Sequence, residues 1–260
     1  MLKIAVLGTG RMARSVLEVI DEHDRCLASS VWVHDPGKIS EFQASFGGRD
    51  VLISDNLESV LAVADIAIDF TLADANASVI ERVVATGTPL VCGVSGLDEA
   101  QTRVLTEASE TIPLLYDRNM SYGIAVLTRL LRDAGAALGS GFVTEIHETH
   151  HRHKKDAPSG TALLLGETLA ESRGRKLDDI GHYDPAGKAS TEEDAINFFV
   201  TREGDVAGDH NVVFHNSLET LKFSHSVADR RVFADGAIRA ALWLAGKDAG
   251  LYRMDDVLSD

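Results

Sequence analysis

Apolar and polar positions alternate along the first half of the chain in short apolar runs separated by amphipathic stretches. Residues 4–7, 26–34, 66–70, 90–92 and 114–116 read as strands, each a brief run of aliphatic side chains bounded by turn-forming or polar residues. Residues 11–22, 56–62, 75–86 and 99–109 carry the helical period between them. Asp55 with Glu58 predicts a capping box for the second of these helices, and Asp74 a cap for the third. Gly87 followed by Pro89 predicts that third helix's end. Strand and helix in strict alternation predict a parallel sheet with helical crossovers.

The pattern changes after Asn119-Met120-Ser121. A helix over 124–138 leads to a strand over 142–149, a histidine-rich loop, and a helix from about 161 to 173. Residues 174–194 are polar and irregular, and strands follow at 196–202, 210–214 and 218–225. In the last of these Leu221 and Phe223 alternate with Lys222 and Ser224, as on a sheet with one wet face. A terminal helix over 233–246 is expected to return to the first domain. The fold class expected is therefore α/β: a Rossmann-like dinucleotide-binding domain of residues 1–121 and 230–260, plus an α+β substrate and oligomerisation domain of residues 122–229 with a mixed, largely antiparallel sheet.

The chain has 260 residues, of which 45% are hydrophobic and 25% charged, ordinary values for a water-soluble enzyme. A net charge of −15 argues against a nucleic-acid partner, because neutralising phosphates needs basic surface. The basic residues that do cluster, Arg152, His153, Lys154 and Lys155, suit a small anionic ligand instead. Cys26 and Cys92 lie far apart in apolar runs and read as buried thiols. No signal-peptide pattern and no membrane-length apolar run is present, so a cytoplasmic protein without a membrane partner is expected.

Gly8-Thr9-Gly10-Arg11-Met12-Ala13 follows a strand and opens a helix, the context that a dinucleotide fingerprint requires. Gly8 permits the tight turn, Gly10 lets backbone approach a pyrophosphate, and Ala13 is small enough for close helix–strand packing. The bland alternative is a glycine-rich turn that binds nothing; strand, turn, helix and second strand in order favour a dinucleotide site. Asp35 stands past the second strand where an acidic residue contacts the ribose, but Asp35-Pro36-Gly37 is equally good turn chemistry. Both readings of Asp35 stand.

His147-Glu148-Thr149-His150-His151 contains H-E-x-x-H, a zinc-peptidase signature that works only on a helix. The preceding residues, Phe142 to Ile146, are β-prone, and positions four apart on a strand are separated by about 13 Å. The match is read as chance and no metal is expected.

The same stretch continues through Arg152-His153-Lys154-Lys155-Asp156-Ala157 into Pro158-Ser159-Gly160-Thr161-Ala162. A solvated charge run is the bland reading of the first part. The second part, however, is a helix start whose amides and hydroxyls can cradle a carboxylate, next to a proton donor and a fixed cation.

At these residues the chain resembles the dihydrodipicolinate reductase family, and the resemblance covers essentially its whole length. It rests on Gly8 to Met12, Ile68-Asp69-Phe70-Thr71, Gly93-Val94-Ser95-Gly96, Asn119-Met120-Ser121 and the run from Glu148 to Ala162. Arg202-Glu203-Gly204-Asp205 with Gly208 and His210, and Phe233-Ala234-Asp235-Gly236-Ala237-Ile238-Arg239, complete it. The resemblance implies NAD(P)H-dependent reduction of a small dicarboxylate in lysine biosynthesis, by a homotetramer whose sheet-rich domain builds the assembly. It implies His150 and Lys154 as proton donors, and His151, Gly160 and Thr161 as holders of the substrate's carboxylates. The cofactor positions implied are Gly8, Thr9, Gly10, Arg11, Met12, Ala13, Gly93, Val94, Ser95, Asp117, Arg118, Asn119 and Met120. Three departures from the family pattern all lie on the cofactor side. The glycine turn is one residue shorter and ends in Ala13, Val94-Ser95 replaces a Thr-Thr pair, and Met120 replaces Phe. The alternatives carried beside this reading are a dehydrogenase of another small dicarboxylate or semialdehyde, and a non-enzymatic dinucleotide sensor. The sensor would not need His150, Lys154 and the Ser-Gly-Thr cradle together.

Overall fold

The computed structural model describes residues 1–45, 50–183, 189–192 and 194–259. In chain order the elements are β1 (Leu2–Leu7), α1 (Arg11–Asp21), β2 (Cys26–Trp32), α2 (Ile39–Ser45), β3 (Leu52–Ser54), α3 (Leu57–Leu61) and β4 (Ile66–Asp69). Then come α4 (Ala73–Thr86), β5 (Leu90–Cys92), α5 (Glu99–Ser109), β6 (Pro113–Tyr116), α6 (Tyr122–Leu138), β7 (Val143–His150) and α7 (Gly160–Ser172). The chain ends with α8 (Leu177–Ile180), β8 (Gly181–His182), β9 (Ile196–Arg202), β10 (Asp209–His215), β11 (Thr220–Ser226), α9 (Arg231–Leu244), β12 (Gly250–Tyr252) and α10 (Met254–Val257). These form two compact units, one of residues 1–122 and 230–260, the other of residues 123–229.

The first unit holds a seven-stranded sheet in the order β12-β6-β5-β4-β1-β2-β3, parallel throughout. This is the doubly wound arrangement, and strand order reverses between β1 and β4. The strands are short apolar runs because both faces are covered. Val60, Val79, Ile80, Val83 and Leu105 pack on one face with Ala5, Leu7, Leu90 and Leu114. On α9, Ala234, Ala237, Ile238, Ala241 and Leu244 are buried, and the C-terminal helix belongs to this unit.

Two expected caps fall elsewhere. Asn56, not Asp55, caps α3, its Oδ1 accepting from the Ser59 amide at 3.0 Å. Leu72 occupies the cap position of α4, which places Asp74 inside the first turn, where its charge still favours the helix dipole. Gly87 ends α4 in the left-handed conformation at φ 66°.

The second unit is a five-stranded sheet in the order β11-β10-β7-β9-β8. Strands β11, β10 and β7 pair antiparallel, while β7, β9 and β8 pair parallel, so the sheet is evenly mixed rather than largely antiparallel. The parallel half exists because α7 supplies the crossover that returns the chain to the same end of the sheet. Ile146, Phe198, Ile196, Val212 and Phe214 pack under Ile124, Leu127 and Leu131 of α6 and Leu165 and Leu169 of α7. Leu221 pairs with Phe214 on the helix-covered side, yet is 42% exposed, because β11 is an edge strand the helices do not fully cover.

Candidate active site

In the first unit the chain leaves β1 at Gly8, whose φ of 108° is open to glycine and costly for other residues. A β-carbon on Gly8 would meet the Phe70 carbonyl oxygen at 3.3 Å, so the ends of β1 and β4 approach closely at the point of strand reversal. Gly10 caps α1 without a side-chain bond, and nothing lies within 4 Å of where its β-carbon would stand. The amides of Arg11, Met12 and Ala13 open the helix there, where helix geometry provides no internal acceptor and an anion can approach. Ala13 is fully buried beneath the turn.

The other cofactor candidates divide by what their side chains do. Val94 and Met120 are buried, 1% and 2% exposed, so only their backbone can face a ligand. Gly93 is pressed against the Phe70 ring, and a β-carbon there would stand 2.3 Å from it. Ser95 and Arg118 are exposed. Asp117 accepts from the Met254 amide at 3.3 Å and the Asn119 amide at 3.4 Å, and burial raises its pKa. Asn119 in turn accepts from the Ser121 amide at 2.8 Å. Asp35 accepts from the Gly37 amide at 3.0 Å and pairs with Lys38 at 3.8 Å, so the turn role is realised, while its side chain stays 57% exposed. Asp69, at the tip of β4, is fully buried, and desolvation lifts its pKa to about 6.

In the second unit the alternation of β7 points Glu148 and His150 inward and His147 and Thr149 to the opposite face. Positions of the H-E-x-x-H match are therefore split between faces of a strand, as their β-prone context predicted. Register then completes the cluster. His150 pairs with Arg202 on β9, and Glu148 pairs with His210 on β10. Glu148 is 2% exposed and accepts the Ser159 amide at 3.1 and 3.2 Å, while Arg202 donates to it at 3.0 Å. Arg202 also donates to the Asp156 carbonyl at 2.5 Å, tying the histidine loop to the sheet.

His150 Nδ1 lies 3.4 Å from Glu148 Oε2, and His210 Nε2 lies 3.7 Å from the same oxygen. The two imidazoles meet edge to face at 5.1 Å. Burial lowers the His150 pKa; the Glu148 charge opposes that and the Lys154 and Arg202 charges add to it. His210 falls to about 3, through burial first and then the neighbouring His150, His225 and Lys154. Within the basic run only Lys154 is tucked in, 22% exposed, and paired with Asp156 at 2.7 Å. Burial alone would raise the Asp156 carboxyl, but the Lys154 bond and charge hold it below its ordinary range. Arg152, His153 and Lys155 are exposed. His151 is half-buried, its amide donating to the Val206 carbonyl at 2.8 Å.

Ser159 caps α7, its Oγ accepting from the Ala162 amide at 3.1 Å and lying 3.3 Å from His210 Nε2. Gly160 and Thr161 open the helix, with nothing within 4 Å of a Gly160 β-carbon position. The second unit thus gathers His150, Lys154 and the α7 start. It adds Glu148, Arg202, His210 and Gly208, to which the sequence reading gave no role in the site. Glu148, His150 and His210 offer ligand atoms within 4.8 Å of one another, a reach compatible with a metal ion. Glu148 is committed to Ser159 and Arg202, however, and two fixed cations flank the cluster, so its electrostatics favour an anion over a metal.

A parallel sheet with a glycine turn at its reversal point, in a chain similar to named reductases, marks a nicotinamide-dinucleotide-dependent oxidoreductase. The chain belongs to the dihydrodipicolinate reductase family: the model of the family's N-terminal part matches residues 2–120 and that of its C-terminal part residues 123–258. It is 40% identical over 265 residues to the 4-hydroxy-tetrahydrodipicolinate reductase of Alkalilimnicola ehrlichii, covering 98% of each chain. Identity to the Sulfurimonas denitrificans protein of the same name is 40% over 262 residues, covering 99% of each. Among solved structures, a dipicolinate-bound dihydrodipicolinate reductase from Paenisporosarcina sp. TG-14 shares the fold, with a TM-score of 0.78, 21% identity and 97% coverage of each chain. A probable dehydrogenase from Thermotoga maritima is similar in fold at a TM-score of 0.66 and 11% identity, over 98% of this chain and 92% of its own.

Proposed function

We propose that this protein reduces 4-hydroxy-tetrahydrodipicolinate, through its cyclic dehydration product dihydrodipicolinate, to tetrahydrodipicolinate in lysine and diaminopimelate biosynthesis. The observation that carries this reading is that Glu148 joins His150 to the Ser159-capped start of α7, with the Lys154 charge acting on the same imidazole, in a chain 40% identical to reductases of that name. NADH or NADPH would be held by the glycine turn at Gly8–Ala13, by Gly93 to Ser95 and by Asp117 to Met120. The close Gly8–Phe70 approach and the open space above Gly10 fit such a ligand. When bound, the nicotinamide supplies the hydride.

The chain's own residues supply binding and a proton. Thr161, Gly160 and His151 would hold the substrate's carboxylates, and Lys154 would add a fixed charge that attracts a dianion. His150 would protonate the ring carbon next to the one reduced, with Lys154 sharing that transfer. A homotetramer is inferred from the face of the second unit's sheet opposite its helices, where His147 stacks on Phe199 at 4.6 Å and Val213 pairs with Glu145, and from the edge strand β11. No helix among the described residues is long and apolar enough to cross a membrane, and a biosynthetic role suits the cytoplasm.

The deciding experiment follows NAD(P)H oxidation with substrate freshly generated from aspartate semialdehyde and pyruvate. Rapid oxidation is expected. Oxidation only with another dicarboxylate or semialdehyde, or tight cofactor binding without turnover, would overturn the proposal.

A further inference from the structure

We infer that Glu148 is a positioning residue for His150: its buried carboxylate fixes the orientation and tautomer of the imidazole, so that Nε2 is the end that gives up a proton. The inference rests on the proposed role of His150 as proton donor. Glu148 is 2% exposed, and a carboxylate in such a place persists only when compensated. Its compensation comes from the Ser159 amide at 3.1 and 3.2 Å and from Arg202 at 3.0 Å. Those bonds tie it to the α7 cap and to β9, so it cannot swing away from the imidazole.

His150 Nδ1 faces this fixed oxygen at 3.4 Å and has no hydrogen-bond partner among the described residues. A neutral ring lowers its energy there by carrying its hydrogen on Nδ1, toward the carboxylate. The ring's far end, Nε2, faces Gly208, where a β-carbon would stand 3.1 Å away. The missing side chain at Gly208 therefore leaves Nε2 uncrowded. The groups facing His150 are Glu148 on its own strand, Lys154 and Asp156 in the loop, Arg202 on β9 and His210 on β10. Burial, Lys154 and Arg202 all disfavour the protonated ring, and Glu148 is the strongest influence that favours it. Without that charge the ring would be a weaker proton store near neutrality.

The test combines a double-mutant cycle, a pH profile and a spectroscopic measurement on the unmodified protein. Glu148→Gln should lower kcat by roughly 10–100-fold, as removal of a histidine's supporting carboxylate does elsewhere. It should also move the alkaline limb of the kcat/KM profile to lower pH by about 1 unit, because an acid with a lower pKa loses its proton sooner. In a His150→Gln background the same change should cost little, since Glu148 acts through the ring. Equal cost in both backgrounds, or an unmoved alkaline limb, would overturn the inference. Nitrogen-15 NMR of the wild-type His150 ring above its pKa should show the hydrogen on Nδ1, and finding it on Nε2 overturns the inference even if Glu148→Gln does not fold. The nitrogen-15 measurement needs no turnover, so an enzyme inactive on the proposed substrate sinks the functional proposal, while the ring's tautomer still upholds or overturns this inference.

Discussion

The carbonyl of Met120 and the α-carbon of Gly236 lie in direct backbone-to-backbone contact: a β-carbon on Gly236 would stand 1.7 Å from the Met120 oxygen and 2.8 Å from its carbonyl carbon. Both belong to the first unit, and the contact sets α9 against the Asp117–Met120 segment proposed to face the cofactor. Neither backbone can yield cheaply. Gly236→Ala should therefore destabilise the protein by about 3 kcal/mol, the upper range for overpacking. Urea unfolding checks this, and unchanged stability would mean that α9 can move away without loss.

His150→Gln should lower turnover by about 10²–10⁴-fold with the cofactor's dissociation constant retained, because general acid catalysis contributes that much. Lys154→Ala should raise the substrate's KM as well as lower kcat, since it removes a binding charge and a possible acid together. His153 is exposed, and His153→Gln should change little. Steady-state kinetics with cofactor titration separates these outcomes. Near-wild-type turnover in folded His150→Gln would remove the proton-donor assignment.

Acid should weaken the second unit through its buried imidazoles. His210 has a folded pKa of about 3 against an unfolded value of 6.5, so between those values the unfolded chain binds a proton that the folded chain refuses. Stability is thus complete above about 6.5 and falls as pH drops toward 3. The lowered His150 and His225 act with the same sign. Denaturant midpoints measured at pH 7 and pH 4.5 should show the loss, and His210→Gln should reduce the difference. A midpoint that rises on acidification in the wild type would contradict this account.

Asp35 should favour NADH at least as much as NADPH, because a carboxylate accepts bonds from a ribose diol and repels a 2′-phosphate. Lys38, 3.8 Å away, blunts that repulsion without covering a side chain that remains 57% exposed. Specificity constants for both cofactors in the wild type and in Asp35→Ala measure the effect. An unchanged ratio would leave Asp35 as the cap of its turn and nothing more.

Light scattering at micromolar concentration should return about four times the 28.0 kDa chain mass. Replacing Phe199, which stacks on His147 on the sheet face opposite the helices, with a charged residue should lower that mass without unfolding the monomer. A monomer mass for the wild type would remove the tetramer from the proposal.

The sequence by itself determined the strands and helices whose periodicity runs long enough to be counted. Each apolar run of the first unit is short and uninterrupted because a parallel strand is covered on both faces, and that burial leaves its mark in composition. The glycine turn was equally legible, since Gly8 and Gly10 answer local backbone demands. Strands β3 and β12 were not: both are partly exposed edge strands, without the fully buried apolar run that marks the equally short β5. Nor were the caps at Asn56 and Leu72, where neighbouring residues compete for one position and packing chooses.

At the candidate site the sequence identified His150, Lys154 and the Ser159-Gly160-Thr161 helix start, which lie within one contiguous stretch. Only tertiary structure brought Arg202 and His210 to them, because strand register is a long-range property: His150 meets Arg202 across β9, and Glu148 meets His210 across β10. Glu148 shows the difference most clearly. In the sequence it was the middle of a false zinc motif; in the fold it is a buried carboxylate held by an amide and a guanidinium, facing the imidazole it supports. Residue type and spacing fix what a side chain can do, but burial and the partners that compensate it decide which of those things it does.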